Sequence, residues 1–196
     1  MNYVSTRGAW RDAPQSFGAI LLEGLAPDGG LAVPSTYPRL DAGELARLRG
    51  LSYPDLASAV LARFLTDIPV DELLATIHRP YTAEAFCSDD VPLPVHLYPG
   101  LHLLRLSNGP TLAFKDIALQ LLGNLFEYAL RLGNRPLNIL GATSGDTGRS
   151  AESAVRAKRN IPVFMLAPPG PLGGFPPAPR ARADDQYIAN PAPHAQ

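Results

Sequence analysis

The run Ser107-Asn108-Gly109-Pro110-Thr111-Leu112-Ala113-Phe114-Lys115-Asp116-Ile117-Ala118-Leu119-Gln120 puts a lysine in an awkward place. Gly109 and Pro110 interrupt a strand-like stretch. Ile117, Leu121, Leu122, Leu125, Phe126, Ala129 and Leu130 then recur at helical spacing. That spacing predicts Lys115 in the first turn of a helix, on one stripe with Ala118, Leu119, Leu122 and Phe126. The positive end of a helix and an apolar surround both favour a neutral amine. Such an amine is a nucleophile suited to condensing with an aldehyde. The plainer alternative is a lysine whose stem covers apolar surface while its head stays in water beside Asp116.

A second stretch could hold an anion. Leu137 to Leu140 reads as a strand, Gly141-Ala142-Thr143-Ser144-Gly145-Asp146-Thr147-Gly148 as a loop, Ser150 to Lys158 as a helix and Ile161 to Leu166 as another strand. In a parallel sheet this loop sits at the carboxyl end of its strand, with backbone donors and hydroxyls at a helix N-terminus. It fits neither a Walker A loop nor Gly-x-Gly-x-x-Gly, and a plain turn using glycine for its backbone angles is the alternative.

The elements that must position these residues follow from pattern and punctuation. Asn2 to Ser5 reads as a strand, and Phe17 to Leu25 as a helix capped by Ser16. After the Pro27-Asp28-Gly29-Gly30 turn come three helices: Gly43 to Leu48 capped by Asp41, one through Leu65 after Ser52, and one after Asp67 and Pro69 ending near His78. Arg7, Asp28 and Arg79 read as solvated surface charge. Leu93 to Tyr98 and Leu101 to Leu106 alternate as strands around Pro99-Gly100 and deliver the chain to the Lys115 helix, which ends near Leu132 with Gly133 after it. The fold class is α/β: a mainly helical subdomain at 1–92, a partial α/β domain at 93–167, and a proline-rich tail at 168–196 expected to be disordered.

The chain has 196 residues, 46% hydrophobic and 18% charged, with a formal net charge of -1, a globular composition without the basic excess nucleic acid demands. Cys87 is alone, which fits a reducing compartment. No segment suits a membrane span or a leader, so a cytoplasmic location and no membrane partner are expected. His78, His96, His102 and His194 lack metal-ligand spacing, so no metal site is expected, and no Gly-x-Ser-x-Gly elbow is present.

Together, Gly109-Pro110-Thr111-Leu112-Ala113-Phe114-Lys115-Asp116, Ala142 to Gly148, Tyr3 to Gly8 and Leu22 to Leu31 resemble threonine synthase, a pyridoxal-phosphate enzyme of the tryptophan-synthase-β type, fold type II. The resemblance runs from Met1 to about Ala167. It implies conversion of O-phospho-L-homoserine and water to L-threonine and phosphate. Lys115 would carry the cofactor and then move protons on the substrate carbons. It further implies that Asn108, Thr111 and Asp146 approach the cofactor, and that Thr143, Ser144, Gly145, Asp146, Thr147 and Gly148 hold the substrate carboxylate. Asp116 is expected to satisfy the helix end.

After Ala167 the pattern departs from the family. Pro168, Pro169, Pro171, Pro176, Pro177, Pro179, Pro191 and Pro193 replace the expected polar stretch, and the later phosphate loop and pyridine-nitrogen partner have no counterpart, as if the second half were missing through a frameshift or early end. Arg149 stands where a small residue often follows the loop. The alternatives are a serine or threonine dehydratase on the same fold, and a non-catalytic remnant or partner-binding fragment.

Overall fold

The computed structural model describes residues 1–89, 91–133, 136–143, 145–156, 158, 160–167 and 186–189. It divides into two compact units, Met1–Tyr81 and Thr82–Gln196, so the first ends before the boundary read at residue 92.

In the first unit, β1 (Tyr3–Ser5) pairs antiparallel with β2 (Ala32–Pro34), and α1 (Phe17–Leu21) lies between them in sequence. Helices α2 (Ala42–Leu48), α3 (Tyr53–Leu61) and α4 (Val70–His78) follow. The cap residues act as their types dictate. Ser16 accepts from Ala19 N and Ser52 from Asp55 N, while Asp41 and Glu44 form a reciprocal capping box. Asp67 does not cap α4; Pro69 takes that position, and the Asp67 carboxylate accepts from Gly18 N at 2.8 Å. Tyr3, Leu65, Ile68, Leu73, Ile77 and Tyr81 form the core. Burial, then the neighbouring Tyr53, pushes the Tyr81 hydroxyl further from ionisation than a free tyrosine.

Asp28, expected as solvated charge, instead organises the turn before β2. Its carboxylate accepts from Ser5 Oγ at 2.7 Å, Ala9 N at 2.8 Å and Gly30 N at 3.0 Å, and these bonds, Ser5 first, hold it below the usual carboxylate range. A Cβ on Gly30 would meet Ser5 Oγ at 2.1 Å, so only glycine allows this approach.

The second unit opens with a four-residue helix, α5 (Ala83–Phe86), which is too short to leave a periodic signal. Strands β3 (Leu93–Tyr98) and β4 (Leu101–Arg105) form an antiparallel hairpin turning at Gly100, whose φ of +82° suits glycine. Then come α6 (Asp116–Gly133), β5 (Ile139–Ala142), α7 (Asp146–Val155) and β6 (Val163–Ala167), with β5 and β6 parallel, giving the expected strand, loop, helix, strand order. Helix α7 starts earlier than its sequence suggested, so Asp146, Thr147 and Gly148 form its first turn rather than a loop.

The tail from residue 168 lies outside the described residues except for β7 (Gln186–Ala189), which pairs parallel with β6 at the sheet edge. This four-residue strand corrects the expectation of disorder at those positions: Gln-Tyr-Ile-Ala contains no proline and has two strand-favouring residues.

Candidate functional site

Lys115 lies one residue before α6, not within its first turn. Its carbonyl accepts from Leu119 N at 2.9 Å, the bond made by a residue at the cap. From there Lys115 stands just ahead of the helix that carries Ala118, Leu119, Leu122 and Phe126. Lys115 is half-buried, with Nζ 4.3 Å from the centroid of the Phe114 ring, and Phe114 itself is 60% exposed. The apolar cover expected from the stripe is correspondingly thin, since Ala118 is exposed and Leu119, Leu122 and Phe126 are half-buried.

The segment that carries this amine is tightly wound. Leu112 N donates to Gly109 O and Asp116 N to Ala113 O, both at 3.0 Å, and Leu112 adopts a left-handed φ of +62°. For a branched side chain that conformation costs on the order of 1 kcal/mol or more and persists only where neighbours over-determine it. The neighbour is Asp116, fully buried. Its Oδ2 accepts from Thr111 N and its Oδ1 from Thr111 Oγ1 and Ser150 Oγ, each at 2.7 Å. A Cβ on Gly109 would meet the Asp116 Cβ at 2.6 Å, so glycine is required there too.

Ser150 belongs to α7, and the contacts between the two helices define their direction. Asp116 meets Ser150, Gln120 Nε2 donates to Ser153 Oγ at 3.1 Å, and Lys158 Nζ, beyond the end of α7, donates to Asn124 Oδ1 at 2.9 Å. Residue numbers rise together, so α6 and α7 run parallel. At Gly123 a Cβ would lie 2.3 Å from Ala154 O. Both helix N-termini, each with partial positive charge, therefore lie at one end. Asp146 to Gly148 extend up to about 6 Å past the level of Ser150, given the 1.5 Å rise per residue. Lys115 and the first turn of α7 share that end.

Thr143 builds the entry to α7. Its Oγ1 accepts from Gly145 N at 3.2 Å and Gly148 N at 3.1 Å, and a Cβ on Gly148 would strike Thr143 Cγ2 at 2.1 Å. Asp146 and Thr147 are exposed, Gly145 and Arg149 half-buried, and Gly148 buried; Ser144 lies outside the described residues. Asn108 is buried at 6% exposure. The Thr111 hydroxyl is engaged by Asp116 and lies 2.9 Å from Ser150 Oγ.

Sequence reasoning missed Ser150 and the structural weight of Asp116, because an apolar periodicity says nothing about a polar helix interface. Of the 17 cationic residues in the chain only Lys115 and Lys158 are lysines. Among the described residues no three His, Cys, Asp or Glu converge as a metal site, and no helix is long and apolar enough to cross a membrane.

The described residues thus place a lysine amine at the shared N-terminal end of two parallel helices, next to a parallel strand pair of an α/β unit. Residues 2–81 match the family model described as threonine synthase N terminus. The chain is 47% identical over 197 residues to threonine synthase of Methylobacillus glycogenes and 50% identical over 194 residues to that of Corynebacterium glutamicum, covering 97% of this chain in both and 41% and 40% of the relatives. A span of 97% exceeds the 167 residues ending at Ala167, so alignment extends into the proline-rich segment. The PLP-bound threonine synthase of Brucella melitensis superposes with a TM-score of 0.81 at 41% identity, covering 87% of this chain and 36% of that one. The chain is therefore similar to the amino-terminal portion of threonine synthases, spanning about two-fifths of the length of the curated relatives it matches.

Proposed function

We propose that this chain contributes the lysine and the carboxylate-binding helix end of a pyridoxal-phosphate enzyme that converts O-phospho-L-homoserine and water to L-threonine and phosphate. The observation that carries the reading is the shared end of the parallel pair α6 and α7, with the Lys115 amine just ahead of α6 and Asp146 to Gly148 in the first turn of α7.

The donor set fits the cofactor in its chemistry: a primary amine, half-buried against Phe114, at an end where two helix dipoles attract anions. Lys115 would hold the cofactor's aldehyde carbon, with Asn108, Thr111 and Asp146 nearest the ring. Pyridoxal phosphate, when bound, supplies an electron sink for charge developing on the substrate carbons. Thr143, Ser144, Gly145, Asp146, Thr147 and Gly148 would hold the substrate carboxylate and fix its orientation, and the Lys115 amine would move protons between the substrate carbons. Because its hydroxyl is already bonded, Thr111 contributes to the site through the shape of its turn.

A second reading is that the chain by itself binds the cofactor without turnover. Both are tested by supplying pyridoxal phosphate and O-phospho-L-homoserine and measuring L-threonine and inorganic phosphate, with Lys115→Ala as control. Equal release of both products, abolished in the variant, supports the first reading. Cofactor uptake without product supports the second. Conversion of L-serine or L-threonine to a 2-oxo acid would overturn the synthase assignment in favour of a dehydratase.

A further inference from the structure

The carboxylate next to the lysine is buried away from solvent, a costly arrangement unless its hydrogen bonds serve something. Three donors to Asp116 come from two places: the turn that ends in Lys115, and α7, whose N-terminus is the anion-receptive end. We propose that Asp116 is a positioning residue for Lys115, joining the lysine-bearing turn to α7 so that the amine is held at a fixed place beside Asp146 to Gly148.

Four observations converge on this role. Asp116 accepts both the backbone N–H and the hydroxyl of Thr111, the residue before left-handed Leu112, and so holds the strained turn at its centre. Asp116 N returns to Ala113 O, closing the same turn on its other side. Ser150 Oγ reaches Asp116 Oδ1 and lies 2.9 Å from Thr111 Oγ1, so α7 is bonded to the turn itself rather than merely packed against the helix. The glycine at 109 leaves room for the carboxylate, where any Cβ would collide with it. Without these bonds Lys115 would still stand at the start of α6, but its turn could relax from the left-handed conformation and carry the amine elsewhere.

The proposal rests on Lys115 being the aldehyde-binding amine, and the chain has an internal reference for testing it. Its only other lysine, Lys158, bonds Asn124 and Glu127 farther along the same helix interface. The whole chain is incubated with pyridoxal phosphate, reduced with borohydride, and the modified lysines are quantified by peptide mass spectrometry across a pH series. The variants are Ser150→Ala, Thr111→Val and Thr111→Ser, with circular dichroism melting as a check on folding. The ratio of Lys115 to Lys158 modification is expected to fall on the order of tenfold in Ser150→Ala and Thr111→Val at every pH, and to recover in Thr111→Ser, which restores the hydroxyl. A general loosening of the helix pair would change both lysines together and leave the ratio near that of the unsubstituted chain, which overturns the proposal. Unsubstituted chain with no Lys115 adduct overturns the cofactor reading and this proposal with it; a strong adduct that persists in all three variants overturns this proposal alone.

Discussion

At the scale of single residues, chemical type was legible and placement was not. Lys115 stood out because an amine beside an apolar helix start is unusual, yet its position one residue ahead of α6 depends on where the turn closes, through Asp116 N to Ala113 O. Asp116 was read as a helix-end residue, since nothing local announces that Ser150, 34 positions away, completes its hydrogen bonds. Replacing it with alanine strands three donors around a buried cavity. The expected cost is about 3 kcal/mol or more, read as a lowered midpoint in urea unfolding. A loss below about 1 kcal/mol would mean that the Thr111 and Ser150 hydroxyls find other acceptors.

Among the elements, caps were the most legible feature: Ser16 and Asp41 each accept from the backbone N–H that their position predicts, and Ser52, read only as preceding its helix, does the same. The reading failed where two rules competed. A Gly/Ser/Thr run looks like a loop, yet Asp146 to Gly148 are helical because Thr143 Oγ1 satisfies Gly148 N from outside the helix. Thr143 and Gly148 should accordingly behave as one unit. Gly148→Ala drives a Cβ into Thr143 Cγ2 and is expected to destabilise by about 1–3 kcal/mol. Thr143→Ser deletes that methyl and keeps the hydroxyl, so the double variant should recover part of the loss. Strict additivity in a thermal-unfolding cycle would contradict the contact. The polar face of α6 was invisible to periodicity for a related reason: Gln120, Gly123 and Asn124 pack against α7 through hydrogen bonds and close backbone approach, not through apolar bulk.

Across the whole molecule, the division at Tyr81 coincides with the end of the matched amino-terminal family domain, a boundary composition could not reveal because no linker-like change occurs there. The first unit carries an acid-sensitive pair. Ser5 and backbone bonds hold Asp28 below the usual carboxylate range, as the Asp41 backbone bond and then Arg63 do for Glu44. Carboxyls depressed in the folded state contribute stability that is complete above the ordinary carboxylate range and is lost as pH falls through their lowered values. Asp28→Asn should therefore flatten the decline in stability on acidification, followed by circular dichroism; an unchanged acid profile would locate the sensitivity elsewhere. In the second unit the hairpin leaves Leu97, Tyr98, Leu103 and Leu104 at least half exposed, an apolar surface that alternation alone could not orient. The cofactor role of this chain depends on which amine takes the aldehyde. Borohydride reduction of the chain with pyridoxal phosphate, followed by peptide mapping, should place the label on Lys115 and leave Lys158 nearly unmodified; label on Lys158, or none on Lys115, would contradict it.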